Sequence, residues 1–427
     1  MRLFLFIVFI IFNVHVQAQQ LSGEEKKIIS YINQNLPQTL QLLEEIVNIN
    51  SGTHNTEGVR QVGNRLRTEF DKIGFTTEWI ELPDSLQRAG HLVASIRGAK
   101  GKKLFLIGHL DTVFEPDMPA NPFRMLTDST VTGQGVNDMK GGNVIMLAAL
   151  QALYAAGVLN DVSITAYFTG DEEDAGVPRA VSRGDFITRG QQHDIALGFE
   201  TAQGLHTVAT GRRGSSQWQL TVTGQQGHSA GVFANGYGAI YEAARIINQF
   251  RVDLSRERYL TFNPGIFLGG SEVLHDSSAI RGTVAGKLNI IAPRAIVQGD
   301  LRFLSEGQKQ AARARMQHIV QVSNLKGTRA SISFADGIPA MEPTAGNERL
   351  VQVLNKVTKD LGFGETKSGD PGSRGAGDIS YIAKYVDCID GLGASGQGAH
   401  APGEIIYLKE FPKLIQRAAL LLYRLTR

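Results

Sequence analysis

Strand-like and helix-like segments alternate along most of this 427-residue chain, which predicts an α/β domain on a mainly parallel sheet with an α+β domain inserted into it. Three observations carry that reading. Apolar runs with the look of buried strands (KKLFLIGHLD, SITAYFTGDEE, DIALGFET) are separated by helical stretches such as MKGGNVIMLAALQALYAAG. Beyond Gly211 the order changes to βαββαβ. The length also exceeds what one ordinary core organises, so two domains are expected.

Taken in order, apolar residues recur at helical spacing from Glu24 to Ile46, and EGVRQVGNRLRTEFDKIG repeats the pattern before stopping at Gly74. LVASIRG and KKLFLIGHLD read as strands, and the helix after them stops at Gly157. In the second unit SSQWQLTVTG and RAIVQGDLRF alternate and YLTFNPGIFLGG and ASISFA are strands, while GYGAIYEAARIINQF and EGQKQAARARMQHIVQVS are helical. The expected divisions are residues 1–18, 19–210, 211–327 and 328–427, the last returning to the first domain through NERLVQVLNKVTKDLG, GDISYIAKY and a final helix.

Composition excludes several classes. A hydrophobic fraction of 42% with 20% charged residues is that of a globular protein, and a net charge of +2 without a basic stripe gives no footprint for nucleic acid. The N-terminal MRLFLFIVFIIFNVHVQAQQ carries one Arg, an apolar run from Leu3 to Phe12, and small residues Val16 and Ala18 before an expected cleavage site. The run is shorter than the ~20 residues of a bilayer span. A signal peptide ending at Ala18 is therefore expected, with a periplasmic or secreted mature protein that has no membrane association. The single cysteine, Cys388, precludes an intrachain disulfide and reads as a packed core residue.

Candidate chemistry lies where strands end. His109 and Asp111 close one strand, Asp138 opens a helix, Glu172 and Glu173 sit in GDEED, Glu200 ends GFET, and His400 lies far along in GASGQGAHAPGE. Imidazole mixed with carboxylates from several strand ends suits Zn²⁺. One ion would not use them all, whereas two ions sharing a carboxylate would. Asp171 and Asp174 in the same acid run read as a solvated loop.

The motifs GHLDTV, GQGVNDMKGGN, GDEE, GFET, GHSAG and GAH, in this order, resemble the co-catalytic zinc peptidase family of glutamate carboxypeptidases, aminoacylases and succinyl-diaminopimelate desuccinylases. The resemblance spans nearly the whole mature chain and is greatest to the glutamate carboxypeptidase branch. It implies two Zn²⁺, with Co²⁺ or Mn²⁺ as alternatives. Asp138 would bridge them, His109 and Glu200 completing one site, Glu173 and His400 the other. It further implies that Glu172 is the general base, that Asp111 accepts the ring N–H of His109, and that His228 reaches across a homodimer interface to steady an oxyanion. Asn289 and Arg302 would contact substrate, with Arg294 a weaker candidate. The first domain would be catalytic and the inserted one a lid and dimerisation domain. A small peptide or N-acyl amino acid is the implied substrate, cleaved next to a free carboxylate.

Two departures stand out. Where glutamate-specific relatives carry a cation before Pro-Ala, this chain reads FADGIPAM, with Ile338 there and Asp336 nearby, so a glutamate preference is not implied. Residues 271–286 look like an insertion without an assigned role, and His275 within it is expected to face solvent. A dipeptidase, a deacylase, a carbamoylase-like amidohydrolase and a non-catalytic peptide-binding relative remain alternatives at this stage; retention of Glu172 and of every ligand argues for an enzyme.

Overall fold

The computed structural model describes residues 21–277 and 280–427, so the expected signal peptide lies outside the described residues. The helical stretch read from Glu24 to Ile46 is two helices, Gly23–Gln34 and Leu36–Val47. Pro37 explains the break: it has no N–H to give to the preceding turn, and it sits at the start of the second helix, where none is needed. Among the described residues no helix is long and apolar enough to cross a membrane.

The first domain is built on a six-stranded sheet ordered Thr76–Ile80, His91–Ile96, Val162–Thr169, Lys100–His109, Ile195–Gly198, Asp387–Ile389. The last four strands run parallel, and the first two form an antiparallel edge. This is the mainly parallel α/β sheet expected. The helix Gly141–Ala155 is buried almost all round, including Val144, Ile145, Leu147 and Leu150, and packs against the terminal helix Phe411–Leu425. Each fully buried aliphatic side chain there stabilises the fold by ~2 kcal/mol. Cys388 lies fully buried on the edge strand Asp387–Ile389.

The inserted domain has a four-stranded antiparallel sheet ordered Thr261–Gly270, Arg294–Phe303, Gly214–Gly224, Thr328–Asp336. Its helices Gly238–Leu254 and Glu306–Gln321 close a separate core around Trp218, Ile246, Phe250 and Met316. The βαββαβ order is as read, but the boundary at 327 falls one strand early. Thr328–Asp336 pairs along its length with Gly214–Gly224, so the chain returns to the first domain only after Asp336. The two crossings then run side by side, joined by Arg212 and Met341 through both backbone hydrogen bonds. The segment read as an insertion forms an antiparallel hairpin, Glu272–Asp276 with Arg281–Ala285. His275 does not simply face solvent. It is half-buried and pairs with Gln298 Oε1 at 3.1 Å.

Candidate active site

Parallel strands put their C-terminal ends on one side of the sheet, and that is where ligands bind in open α/β folds. Lys100–His109 lies in the interior of the sheet and delivers His109, which is 1% exposed. The turn after Val162–Thr169 delivers Glu172 and Glu173, and the end of Ile195–Gly198 delivers Glu200. Asp138 comes from the irregular turn Val136–Lys140 ahead of the Gly141–Ala155 helix. A Cβ on Gly142 would lie 2.0 Å from Phe199 O, so this helix can approach the Glu200 strand only without a side chain there. His400 has φ +66, a left-handed conformation uncommon outside glycine, in a loop that carries it back over the sheet.

These residues meet. Ligand atoms of His109, Asp138 and Glu200 lie within 4.8 Å of one another, and so do those of Asp138, Glu173 and His400. Asp138 belongs to both groups: Oδ1 is 3.2 Å from His109 Nε2 and Oδ2 is 3.2 Å from His400 Nε2. Glu200 Oε1 is 3.7 Å from His109, and Glu173 Oε2 is 3.2 Å from His400. His109 Nδ1 lies 3.0 Å from the backbone oxygen of Asp111 and 3.4 Å from its carboxylate. Donation from Nδ1 leaves Nε2 free to ligate. The Asp111 carboxylate has a further task. Its two oxygens accept the backbone N–H groups of Glu172 (3.0 Å) and Glu173 (3.1 Å) and the Thr53 hydroxyl (2.6 Å), fixing the turn that carries both acids.

The electrostatics ask for cations. Burial first, then the charge of Glu200, raises the Glu172 carboxyl well above its ordinary value, and burial followed by Asp138 pushes Glu200 up to about 7. His400 is raised to about 11 by its hydrogen bonds to Asp138 and Glu173. Glu173 Oε1 is buried without a hydrogen-bond partner among the described residues, which is unfavourable for a carboxylate oxygen unless something positive meets it. Two imidazoles and three carboxylates so arranged fit divalent metal ions of the zinc, cobalt or manganese type.

The other expected site residues stand apart from this cluster. His228 and Asn289 are exposed neighbours in the inserted domain: His228 pairs with Ile290 across a short ladder, and Ser229 N donates to Asn289 O at 2.9 Å. The Arg302 guanidinium turns onto Asp300 at 2.7 Å, and Arg294 lies at the opposite end of the same strand. Among the described residues no hydrogen bond or ion pair joins any of them to a residue of either group. Asp336 pairs with Lys309 and Arg313, while Ile338 packs beside Met341, Ile379 and Tyr381.

Sequence reasoning misjudged or missed several supports. Asp171 is fully buried rather than solvated, because it pairs with the buried Arg183, which also holds Asp378 at 2.7 Å; Asp174 is exposed as expected. Asp378 in turn accepts from the Thr169 hydroxyl at 2.6 Å. Glu404 was not singled out, yet it is fully buried and accepts the backbone N–H groups of Gly135, Asn137 and Asp138 at 3.0, 2.7 and 2.6 Å. Its only signal was an acid four residues past His400 in a Pro-Gly turn. Arg374, between glycines in GSRGAG, was missed too; its Nη1 donates to Thr201 O at 2.8 Å, next to Glu200.

Comparison with known proteins shows which family the chain resembles. The chain is 28% identical to Carboxypeptidase G2 of Pseudomonas sp. (strain RS-16) over 390 residues, covering 90% of this chain and 89% of the relative. It is 26% identical to succinyl-diaminopimelate desuccinylase of Variovorax paradoxus (strain S110), covering 89% and 96%. Its fold matches the crystal structure of aminopeptidase PepT from Bacillus cereus ATCC 10987 with a TM-score of 0.71 at 16% identity, covering 92% of this chain and 99% of that one. Residues 105–424 match the sequence pattern of peptidase family M20/M25/M40, so the chain belongs to that family and is a metal-dependent hydrolase.

Proposed function

We propose that this enzyme hydrolyses an amide bond adjacent to a free carboxylate as a metallocarboxypeptidase, with two divalent metal ions, zinc first among them, shared through Asp138. The observation that carries the reading is the division of the Asp138 carboxylate between the two imidazoles, 3.2 Å on each side. When bound, such a metal pair polarises the scissile carbonyl and lowers the pKa of the attacking water. The protein's own groups do the rest. Glu172, held by its backbone to Asp111 and raised in pKa by burial, takes the proton of that water and passes it to the leaving amine. Asp111 and Glu404 keep the ligand turns in place.

Similarity to Carboxypeptidase G2 supports the carboxypeptidase reading. Ile338, packed in an apolar cluster, favours a second one in which the residue released is apolar, as for an aminoacylase or broad dipeptidase. A homodimer through the inserted domain is part of the proposal. Phe233 and Tyr241 are 57% and 51% exposed and stack edge to face a few residues from the exposed His228, an apolar surface suited to a second copy whose site His228 would enter. The leader-like N-terminus supports a periplasmic or secreted location, which cell fractionation tests. Function is tested by amino acid release from N-benzoyl amino acids and dipeptides by the zinc-loaded protein, with a chelated control. Chelator-sensitive release supports the reading, and its absence with both metals bound removes it.

A further inference from the structure

Arg374 lies in the loop of residues 370–377, which the structure holds on several sides. Arg212, itself buried and paired with Asp390, donates from Nε to Gly375 O at 2.7 Å and from Nη2 to Ala376 O at 2.9 Å. Arg213 N donates to Arg374 O at 3.1 Å, tying the loop to the first crossing between the domains. From the inserted domain Tyr259 presses on Gly372, where a Cβ would come within 2.5 Å of its ring. The loop is thus fixed between the two domains beside the Glu200 end of the metal cluster.

The side chain is fixed as well, but only on one edge. Nη1 donates to Thr201 O at 2.8 Å and to Thr201 Oγ1 at 3.1 Å. Among the described residues Nε and Nη2 donate to nothing, and they form the edge of a guanidinium that grips a carboxylate with two parallel hydrogen bonds. No carboxylate among the described residues forms an ion pair with Arg374. The acids that feel its charge are already engaged: Asp390 with Arg212, and Glu200 and Asp138 in the cluster. Burial, then the charge of Arg212, lowers the Arg374 pKa, the direction expected for a cation lacking its own counter-ion. Arg302, which the resemblance implied would contact substrate, is already turned onto Asp300.

We propose that Arg374 is a substrate-binding residue whose free Nε and Nη2 edge seats the free carboxylate of the amino acid being released, beside the Glu200 end of the metal cluster. The proposal rests on the amide-hydrolase reading above and adds the residue that selects for the carboxylate. A guanidinium that only braced the Thr201 carbonyl would not distinguish a carboxylate from a carboxamide; one that seats the substrate would.

The experiment compares wild type, Arg374→Gln and Arg374→Lys on N-benzoyl amino acids and on the same compounds with an α-carboxamide. Arg374→Gln is expected to raise KM for the carboxylates by ~10- to 100-fold, the loss typical of a charge-assisted pair, with kcat nearly unchanged and little effect on the carboxamides. Arg374→Lys, which keeps charge but not the fork, should fall between. Calorimetry with N-benzoylglutamate and its α-carboxamide, on zinc-loaded protein carrying Glu172→Gln, gives a second readout independent of turnover. Equal losses on both compounds, or no loss, overturn the proposal. If wild type cleaves nothing in the panel the hydrolase reading fails, and calorimetry still decides whether Arg374 binds the carboxylate. If Arg374→Gln fails to fold, Arg374→Lys carries the same comparison.

Discussion

Replacing Glu404 by Ala tests how far metal binding depends on a residue that touches no metal. In the native protein its carboxylate is fully buried and accepts three backbone N–H groups on the Asp138 turn. Stranding each buried donor costs ~1–3 kcal/mol, so the three together set an upper range of roughly 3–9 kcal/mol, reduced by any water that enters the space. Against this, burial pushes the Glu404 carboxyl up to about 7 from 4.5. Removing an acid so displaced relieves on the order of 3 kcal/mol at high pH. The net loss of global stability should therefore lie between roughly 0 and 6 kcal/mol, toward the low end where water enters. The local effect is larger, because Asp138 loses the anchor of its own N–H, and metal affinity should drop ~10- to 100-fold, as for other residues that orient ligands. Glu404→Gln keeps one acceptor oxygen but turns an NH₂ toward a donor, so it should show a smaller loss of affinity. Titration against a competing chelator reads the affinity, and urea unfolding in excess chelator reads the stability. If Glu404→Ala binds metal as wild type does, the turn is held by something else and the reasoning fails.

Three other outcomes follow from the same structure. Glu172→Gln should lower kcat by ~10²- to 10⁴-fold with metal still bound, since it removes a proton acceptor and no ligand; wild-type turnover would exclude the general-base role. His91 is fully buried, with Nε2 2.8 Å from Ser182 O, and burial lowers its pKa below 6.5. The unfolded chain therefore takes up a proton below pH 6.5 that the folded one does not, and stability should fall with pH from there down through the folded pKa by up to ~1.4 kcal/mol per unit. His91→Phe should flatten that slope in urea titrations between pH 5 and 7, and an unchanged slope would show that other groups set it. Burial, with help from Asp390 and Asp387, raises the Cys388 thiol, so a thiol reagent at neutral pH should find no reactive group in the native protein and one after denaturation; native labelling would mean that this edge of the sheet opens readily.

The candidate metal ligands were legible because all but His400 follow a strand or precede a helix in a short motif, and strand ends of a parallel sheet share one side whatever the loops do. The supports were not, because a buttress is defined by its partner. Asp171 looks like any acid in an acid run until Arg183, a dozen residues on, is folded against it. Glu404 is separated from Gly135 by the whole inserted domain and more, and only the closed fold lays one on the other. The misdrawn boundary has a similar origin. The six residues 324–329 before ASISFA read as a linker, which puts the boundary ahead of a strand already counted in the second unit, and pairing with Gly214–Gly224 holds that strand in the second sheet.

Local sequence thus determined the alternating α/β architecture and the inserted βαββαβ unit, since periodicity is a property of neighbouring residues, and the motif resemblance pointed to the candidate ligands. Tertiary structure alone decided that Asp138 divides its oxygens between His109 and His400, that Asp111 and Glu404 spend their charge on backbone N–H groups, and that Arg374 rather than Arg302 stands beside the cluster with a free edge. Those facts depend on contacts between residues far apart in the chain, and the packing of the first domain, whose two sequence segments flank the inserted one, is what sets most of them.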